Sequence, residues 1–352
     1  MPRPSTLLLT GRDVDSLLDL DGCIAAVEAA FGAHGRGECA APGVLGIHAS
    51  EGGFHIKAGL LRVEGGEFFV AKSNSNFRHN PARHGLPTIQ GVVVLCDAQD
   101  GRLLALIDSM EITTLRTGAA TAVAAMYLAR SDAAVATIAG CGNQGRVQLR
   151  ALARVRPLRA AFAVDRDADG ARRFAAAMTR ELHFPVEAAG DLAGAVARSD
   201  LVVTCTPSTE PLLARDTIRP GTFVAGVGAD SEDKWELAPD LLAGSTLVVD
   251  LLEQAATIGD LHHALAAGIL TRDAVHAELG QVVAGLRPGR TSDAEVTVFD
   301  STGMALQDAA AAAAVYVRAL HSGSGVTVEL GPGTGSSPAF SDAEVNDAMD
   351  HA

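Results

Sequence analysis

Apolar and polar positions alternate along residues 53–60, which predicts a β-strand with one buried face. Three further apolar segments within the first 110 residues also predict strands. In the first segment, Lys57 and His55 are expected on the face opposite to Ile56. The last two segments flank the turn sequence Ala98-Gln-Asp-Gly101, which favours a hairpin. The four predicted strands span residues 53–60, 67–73, 90–97 and 102–108.

Helical periodicity flanks these strands on both sides. Residues 13–35 begin with Asp and Ser and continue with apolar side chains at helical spacing, which predicts a helix. Residues 110–130 form a second, alanine-rich helix that is expected to bridge to a following domain. The first part of the chain is therefore predicted to be a mainly antiparallel domain.

The pattern changes after residue 132, where short apolar runs alternate with helical stretches. This rhythm predicts βαβ units and a parallel sheet. The expected fold class is therefore α/β, a doubly wound parallel sheet plus a mainly antiparallel α+β domain. Glycine and serine from residue 322 onward predict a loose tail. The predicted strands are 133–139, 160–164, 186–188, 200–205, 222–227, 246–250 and 296–302, and the helices are 143–155, 168–182, 190–198 and 305–320.

Composition narrows the class of protein. A chain of 352 residues has room for two domains. Its net charge of −14, without basic runs, argues against nucleic acid or an anionic membrane as partner. Five scattered cysteines without a C-x-x-C pair argue against a disulfide framework or a metal site. A leader-type apolar region and an apolar run of about 18 residues are lacking, which predicts a soluble cytoplasmic protein.

A glycine-rich loop, Gly140-Cys-Gly142-Asn-Gln-Gly145, follows a predicted buried strand and opens a helix. This context is typical of a dinucleotide pyrophosphate site at a helix N-terminus. Asp165 ends the next predicted strand, where a carboxylate binds a ribose and repels a 2′-phosphate. NAD(H) is therefore favoured, although the adjacent Arg166 keeps NADP(H) open. The alternative is a tight turn without a ligand.

Three polar residues stand out as candidates for chemistry. Lys72 ends an apolar strand and either presents its amine to an anion or snorkels to solvent. Arg116, near the start of the alanine-rich helix, suits a carboxylate, with a surface salt bridge as the alternative. Asp230 follows a buried strand and two glycines, where it could exchange a proton with an amine nitrogen or cap a helix.

These motifs resemble the ornithine cyclodeaminase/μ-crystallin family, in the family's order and over roughly residues 20–320. The resemblance implies a homodimer of two-domain subunits. Residues 1–125 with 304–330 would form the substrate-binding and dimerisation domain, and 126–303 a Rossmann domain. Residues 331–352 would be a flexible tail. The motifs are Lys72-Ser-Asn-Ser-Asn, Gly85-Leu-Pro-Thr, Ile112-Thr-Thr-Leu-Arg116-Thr-Gly, the glycine loop, Gly226-Val-Gly-Ala-Asp230 and Phe299-Asp-Ser-Thr-Gly303.

The resemblance also implies roles for individual residues. Lys72 and Arg116 would hold the α-carboxylate of a small amino or imino acid, with Asn74 and Thr113 beside them. Asp230 would be the acid/base at the substrate nitrogen, and Lys72 is counted with it as catalytic. A nicotinamide cofactor would exchange a hydride with the substrate α-carbon. Its expected contacts are Gly140, Gly142, Asn143, Gln144, Gly145, Asp165, Arg166, Thr117, Thr206, Val227 and Ser301.

The sequence departs from the family pattern on the early strands. The segment 39–47 lacks the arginine that is a third carboxylate ligand in many members. Lys57 lies near the position where cyclodeaminases carry a glutamate for the distal amine. Our hypothesis is that Lys57 replaces the arginine and repels a distal ammonium. The alternative is a solvated surface lysine.

Three functions remain open at this point. The first is an NAD(P)-dependent imine reductase or amino-acid dehydrogenase. The second is a cyclodeaminase that releases ammonia from ornithine or lysine and recycles NAD. The third is a non-enzymatic small-ligand or NADPH-binding protein like μ-crystallin.

Overall fold

The computed structural model describes residues 5–63 and 65–330, so the predicted tail at 331–352 lies outside the described residues. The strands are β1 (Ser5–Leu9), β2 (Gly43–Ala49), β3 (Gly52–Val63), β4 (Gly66–Asn76), β5 (Ile89–Asp97), β6 (Leu103–Asp108), β7 (Val135–Ala139), β8 (Ala160–Val164), β9 (Val186–Ala188), β10 (Leu201–Thr204), β11 (Thr209–Leu213), β12 (Phe223–Gly226), β13 (Trp235–Leu237), β14 (Thr246–Val249), β15 (Ala277–Glu278), β16 (Thr297–Asp300) and β17 (Val326–Glu329). The α-helices are α1 (Gly11–Leu17), α2 (Leu20–Gly35), α3 (Asn80–His84), α4 (Ser109–Leu128), α5 (Asn143–Val155), α6 (Ala168–Leu182), α7 (Leu192–Val196), α8 (Pro239–Ala243), α9 (Leu252–Ile258), α10 (Asp260–Ala266), α11 (Leu279–Val283) and α12 (Ala305–Ser322).

The first sheet has seven strands in the order β17-β1-β6-β5-β4-β3-β2. Neighbouring strands are antiparallel except for the parallel pair β1 and β6. One face buries Leu61, Val70 and Leu95 in the hydrophobic core that also contains residues of α2, α4 and α12. In the β3–β4 register Lys57 lies directly opposite Lys72, and both side chains point to this buried face.

Two predictions on this domain are wrong. The helix predicted over 13–35 is broken, because Leu18 is extended and Asp19 caps α2 by accepting a hydrogen bond from the Gly22 N–H. The loose tail predicted from residue 322 contains β17, which pairs with β1. Gly323 and Gly325 have φ values of 69° and 91°, so this glycine-rich stretch turns the chain back to the sheet edge.

The second sheet has eight parallel strands in the order β15-β14-β16-β12-β10-β7-β8-β9. Its central strands β10, β12 and β16 are buried along their whole length, as a sheet covered on both faces requires. The predicted bounds of α5, β8, α6 and β9 agree with the structure. The α/β fold class with a second, mainly antiparallel sheet is confirmed.

Helices α4 and α12 connect the two sheets. Two arginines of the parallel-sheet part hold the C-terminal end of α4. Arg156 Nη2 donates to the Ala129 carbonyl at 3.1 Å, and Arg290 Nε donates to the Leu128 carbonyl at 2.7 Å. The domain boundaries at 125/126 and 303/304 stay predictions. Across the described part of the chain, no helix has the length and apolar character needed to cross a membrane.

Candidate active site

Two cavities lie at the carboxyl ends of the parallel strands. The first, the glycine-loop cleft, has a volume of about 350 Å³. The second, the cationic pocket, has a volume of about 70 Å³ and lies where β3, β4 and α4 meet the Asp230 loop. The glycine-loop cleft is lined by Gly140, Gly142, Asp165, Arg166 and Thr206, with Ala139, Val164, Leu192, Cys205, Pro207, Ser208 and Leu212. The cationic pocket is lined by His55, Lys57, Lys72, Asn74, Ser75, Asn76, Ile89, Thr113, Arg116 and Asp230.

The glycine loop has the backbone that a bound pyrophosphate requires. Gly140 has φ of 104°, and a Cβ there would lie 2.7 Å from the carbonyl oxygen of Cys205. A Cβ on Gly145 would clash with the Gly140 carbonyl oxygen. Gly142 is the N-cap of α5, and a Cβ on it would meet open space among the described atoms. The first turn of α5 therefore presents its N–H groups to the cleft, and these residues fit a dinucleotide.

Asp165 lies at the rim of the cleft, directly after β8. Its Oδ2 accepts a hydrogen bond from the Cys141 N–H at 2.8 Å, and its Oδ1 accepts one from the Asp167 N–H at 2.9 Å. A carboxylate has about four acceptor positions, so both oxygens can still accept from ribose hydroxyls. Arg166 is exposed at the same rim.

The other predicted cofactor residues lie in the first turn of α5, in the cleft lining or outside that lining. Asn143, Gln144 and Gly145 form the first turn of α5. Thr206 lines the cleft, and its hydroxyl donates to Glu236 Oε1 at 2.7 Å. The other three, Thr117 on α4, Val227 after β12 and Ser301 after β16, are buried, and none belongs to the cleft lining of the described residues.

The cationic pocket brings together every predicted substrate-binding residue. Lys57 is not a solvated surface lysine, because its buried Nζ donates to the carbonyls of Thr302 and Gly303, at 2.9 and 2.5 Å. Lys72 is also buried and does not snorkel. Arg116 is buried as well, which excludes a surface salt bridge.

Asp308, on α12, lies beneath these cations and is fully buried. Its Oδ1 lies 2.8 Å from Lys72 Nζ and 3.0 Å from Arg116 Nε. Burial alone would raise the pKa of Asp308, but Lys72 and Arg116 hold it below its usual value. Lys57 lies on the same side of the sheet, and the charges of Asp308, Asp230 and Asp250 all act on it.

Burial also acts on the two lysines. Desolvation lowers the pKa of Lys72 to about 7, against the attraction of Asp308 and with the repulsion of Arg116 and Lys57. Desolvation and the charge of Arg116 lower the pKa of Lys57. An anion in the pocket would stabilise the charged form of both lysines.

Asp230 lies on the opposite wall of the pocket, with its side chain 47% exposed. It does not cap a helix, because the chain turns after it and enters β13. The Nζ of Lys234 lies 2.5 Å from Oδ1 of Asp230. Desolvation would raise the pKa of Asp230, but Lys234 and the charges of Lys57 and His55 keep this pKa below its usual value. His55 shares the pocket, and burial lowers its pKa despite Asp230.

The chain contains three lysines, at positions 57, 72 and 234. Two line the cationic pocket, and the third is paired with Asp230 at the pocket wall. The ammonium groups of all three lysines therefore lie in or beside one pocket. An ammonium group can lose its proton in a buried site, whereas a guanidinium cannot.

Sequence reasoning missed Asp308, His55 and Asn76. His55 and Lys57 were assigned to one strand face, so the alternation contained the signal for His55. For Asp308 the signal was a charge near the start of an otherwise apolar, alanine-rich helix, because such a charge needs a buried partner. The register that places Asn76 beside them was not accessible from one strand alone.

A parallel sheet with this glycine loop, joined to an antiparallel domain at a cation-lined pocket, defines a two-domain dinucleotide-binding protein. The model of the ornithine cyclodeaminase/mu-crystallin family matches residues 5–323. The chain therefore belongs to that family.

The relatives are oxidoreductases and cyclodeaminases. The alanine dehydrogenase of Archaeoglobus fulgidus is 36% identical over 92% of this chain and 98% of its own. An archaeal alanine dehydrogenase dimer with bound NAD superposes with a TM-score of 0.88, at 35% identity over 93% of this chain and 100% of that one. Thermococcus litoralis Δ1-pyrroline-2-carboxylate reductase, in complex with NADH and L-proline, has a TM-score of 0.87, at 33% identity over 92% and 100%. Others are named iminosuccinate reductase or cyclodeaminase.

These findings confirm several predictions. The family, the fold class and the class of NAD(P)-dependent enzyme acting on amino and imino acids agree with the relatives. The preference for NAD(H) agrees with the solved structures that contain NAD or NADH. The roles of individual site residues stay predictions.

Asp165 provides a test of cofactor selection. Asp165→Asn keeps a hydrogen-bond acceptor for the Cys141 N–H but removes the charge that repels a 2′-phosphate. We expect the association constant for NADPH, divided by that for NADH, to rise about tenfold, equivalent to about 1.4 kcal/mol. Titration of both cofactors measures this ratio. The control is Asp191→Asn, which removes one negative charge while asparagine can still cap α7. An unchanged ratio would contradict the assignment.

Proposed function

We propose that this protein is a cytoplasmic, NAD-dependent oxidoreductase that acts at the α-carbon of a small amino or imino acid, as a reductase or a dehydrogenase. The observation that carries the proposal is one cavity in which Lys57, Lys72 and Arg116 face Asp230. The five cysteines are free thiols, which supports a reducing compartment.

Lys72 and Arg116 bind the substrate carboxylate in this proposal. Both are held by Asp308, and Arg116 Nη1 also donates to Gln307 Oε1 at 2.8 Å, so their positions are set before a ligand arrives. An anionic substrate group offsets the positive charge of Lys72 and Arg116 that Asp308 leaves unbalanced. Lys57 gives two of its three protons to carbonyls, which leaves one for the same carboxylate. Its role in place of the absent arginine stays a prediction.

Asp230 exchanges a proton with the substrate nitrogen in this proposal. Its half-exposed carboxylate faces the pocket, and its lowered pKa keeps it ionised near neutral pH, ready to accept a proton. The nicotinamide group, when bound, supplies or accepts the hydride. Asn74 is oriented by Ser109, whose hydroxyl donates to Asn74 Oδ1 at 2.6 Å.

The cationic lining favours a reductase or dehydrogenase over a cyclodeaminase. A cyclodeaminase substrate carries a second, distal ammonium group. In this pocket such a group would approach Lys57, which occupies the β3 position nearest to the carboxylate-binding pair. Cyclodeamination remains the second candidate because a solved lysine cyclodeaminase is 31% identical over 95% of the chain.

We also propose that the chain forms a homodimer through the outer face of the first sheet. On that face Phe54, Leu60 and Val92 are exposed, and Leu60 pairs across strands with Phe69. An exposed apolar sheet face of this kind marks a protein interface. The alanine dehydrogenase with a TM-score of 0.88 to this chain is a dimer, which supports a second copy as the occupant.

The central experiment tests the reaction. We expect NADH oxidation with 2-oxo acids plus ammonia or with cyclic imino acids, and no net ammonia release from ornithine or lysine. Asp230→Asn is expected to lower kcat by about 100-fold, as general acid/base groups typically contribute 10²–10⁴. The control is Asp233→Asn, three residues along the same loop. Ammonia release without NADH consumption would identify a cyclodeaminase, and full activity of Asp230→Asn would contradict its role.

A second test uses the lowered pKa of Lys72. Because the ammonium loses its proton above about pH 7, we expect carboxylate affinity to fall as the pH rises beyond that value. The inhibition constant of acetate against the substrate, measured from about pH 6 to about pH 9, reports this loss. Lys72→Met should bind acetate more weakly than the wild type and show a smaller loss of affinity above about pH 7, because the contribution of Lys72 is gone. A flat wild-type profile would argue against Lys72 as a carboxylate ligand.

A third test concerns the dimer. Leu60→Asp places a charge in the centre of the apolar outer face, and burial of that charge would cost several kcal/mol, on the order of the desolvation penalty. We expect a monomer by analytical ultracentrifugation, whereas the wild type and the control Leu286→Asp, exposed elsewhere, remain dimeric. A dimeric Leu60→Asp variant would place the interface on another surface.

A further inference from the structure

Glu236, on β13, is fully buried, and its carboxylate accepts four hydrogen bonds. Oε1 accepts from the N–H and the hydroxyl of Thr206, at 2.6 and 2.7 Å. Oε2 accepts from the Thr204 hydroxyl at 2.8 Å and from the Gly228 N–H at 2.7 Å. Four donors satisfy an ionised carboxylate completely. This residue has no part in the reaction as proposed above.

The four donors come from two places, the end of β10 with its following loop and the loop after β12. Thr204 ends β10, and Thr206 lies in the following loop and lines the glycine-loop cleft. Gly228 lies in the loop after β12, two residues before Asp230. The carboxylate of Glu236 therefore joins a wall of the cofactor cleft to the loop that carries the acid/base candidate.

The close approach to Gly228 shows how tightly these parts fit. A Cβ on Gly228 would lie 2.6 Å from the carboxylate carbon of Glu236. Glycine at this position is thus needed for its N–H to reach Glu236 Oε2. Gly228 and Glu236 therefore pack together as one structural unit.

Glu236 is itself held from the other side. Its own N–H donates to Asp260 Oδ1 at 2.7 Å. The neighbouring Trp235 stacks on His263, with ring centroids 4.6 Å apart. These contacts fix β13, so the carboxylate is a rigid anchor for the two loops.

We propose that Glu236 is a positioning residue that fixes the Asp230 loop relative to the wall of the cofactor cleft. Its carboxylate keeps Asp230 at a fixed distance from the bound cofactor, so that both can act on the same carbon–nitrogen bond of the substrate. This inference rests on the proposed function of Asp230 and the cleft. It assigns Glu236 no contact with substrate or cofactor.

The first experiment is Glu236→Gln, which keeps the side-chain size. It places an NH₂ group, which cannot accept a hydrogen bond, beside two of the donors that contact Glu236. NADH binding is followed by energy transfer from Trp235, the only tryptophan of the chain. We expect NADH affinity to fall about tenfold, the effect of losing one or two buried hydrogen bonds. The control is Glu210→Gln, a change of the same charge on the exposed part of β11. It should bind NADH like the wild type.

Steady-state kinetics separate positioning from general damage. Glu236→Gln should lower kcat and raise the KM for NADH, while the KM of the carboxylate substrate stays constant, because Lys72 and Arg116 do not contact Glu236. If the wild type turns over none of the tested substrates, the proposed function fails. The NADH measurement then still decides whether Glu236 supports the cleft.

A second pair of variants covers the case in which Glu236→Gln does not fold. Thr204 is buried beneath the loops, and among the described residues it does not line the glycine-loop cleft. Thr204→Val removes one hydrogen bond to Glu236 without changing shape, and Thr204→Ser retains it. We expect NADH affinity to fall about threefold to tenfold in Thr204→Val and to recover in Thr204→Ser. Wild-type NADH affinity in Thr204→Val, or in a folded Glu236→Gln, would overturn the proposal.

Discussion

Burial of positive charge beneath the first sheet is the constraint on which the rest of the structure depends. Lys72 and Arg116 would be very costly to bury without a counter-ion, and Asp308 supplies it. Asp308 lies on α12, 236 residues after Lys72 in the chain. The chain must therefore return to the first domain after completing the parallel sheet. β17 then pairs with β1 and forms the edge of the first, mainly antiparallel sheet.

The local charge differs from the charge of the whole chain. The protein carries a formal charge of −14, yet its three lysines and Arg116 meet where the two sheets face each other. Asp308 lies against Lys72 and Arg116, while Asp230 and Asp250 also act on Lys57. Desolvation is the main cause that lowers the pKa of both lysines, and the charge of Arg116 adds to it. This local concentration of positive charge supports the proposed small carboxylate substrate.

The parallel sheet brings the second half of the site to the same place. Its strands end at the glycine loop, at Asp165 and at the Asp230 loop, because all of them run in one direction. Glu236 connects the Asp230 loop to the end of β10 and the Thr206 loop that follows it, through four hydrogen bonds. The geometry of such a site depends less on the loops themselves than on the buried polar groups behind them.

Local sequence patterns determined much of this protein. The glycine loop, the run from α5 to β9 and the face shared by His55 and Lys57 follow from periodicity and turn chemistry, which act within a few residues. The sequence alone did not reveal β17 or the break between α1 and α2, since a short strand needs its neighbour and a helix break depends on one cap. Only the tertiary structure decided that Lys57 lies opposite Lys72 and that Asp308 pairs with Lys72. The same holds for Glu236, which joins the Thr206 loop to the Asp230 loop. Strand register and buried ion pairs connect residues far apart in the chain, and their free energy exists only once the core has formed.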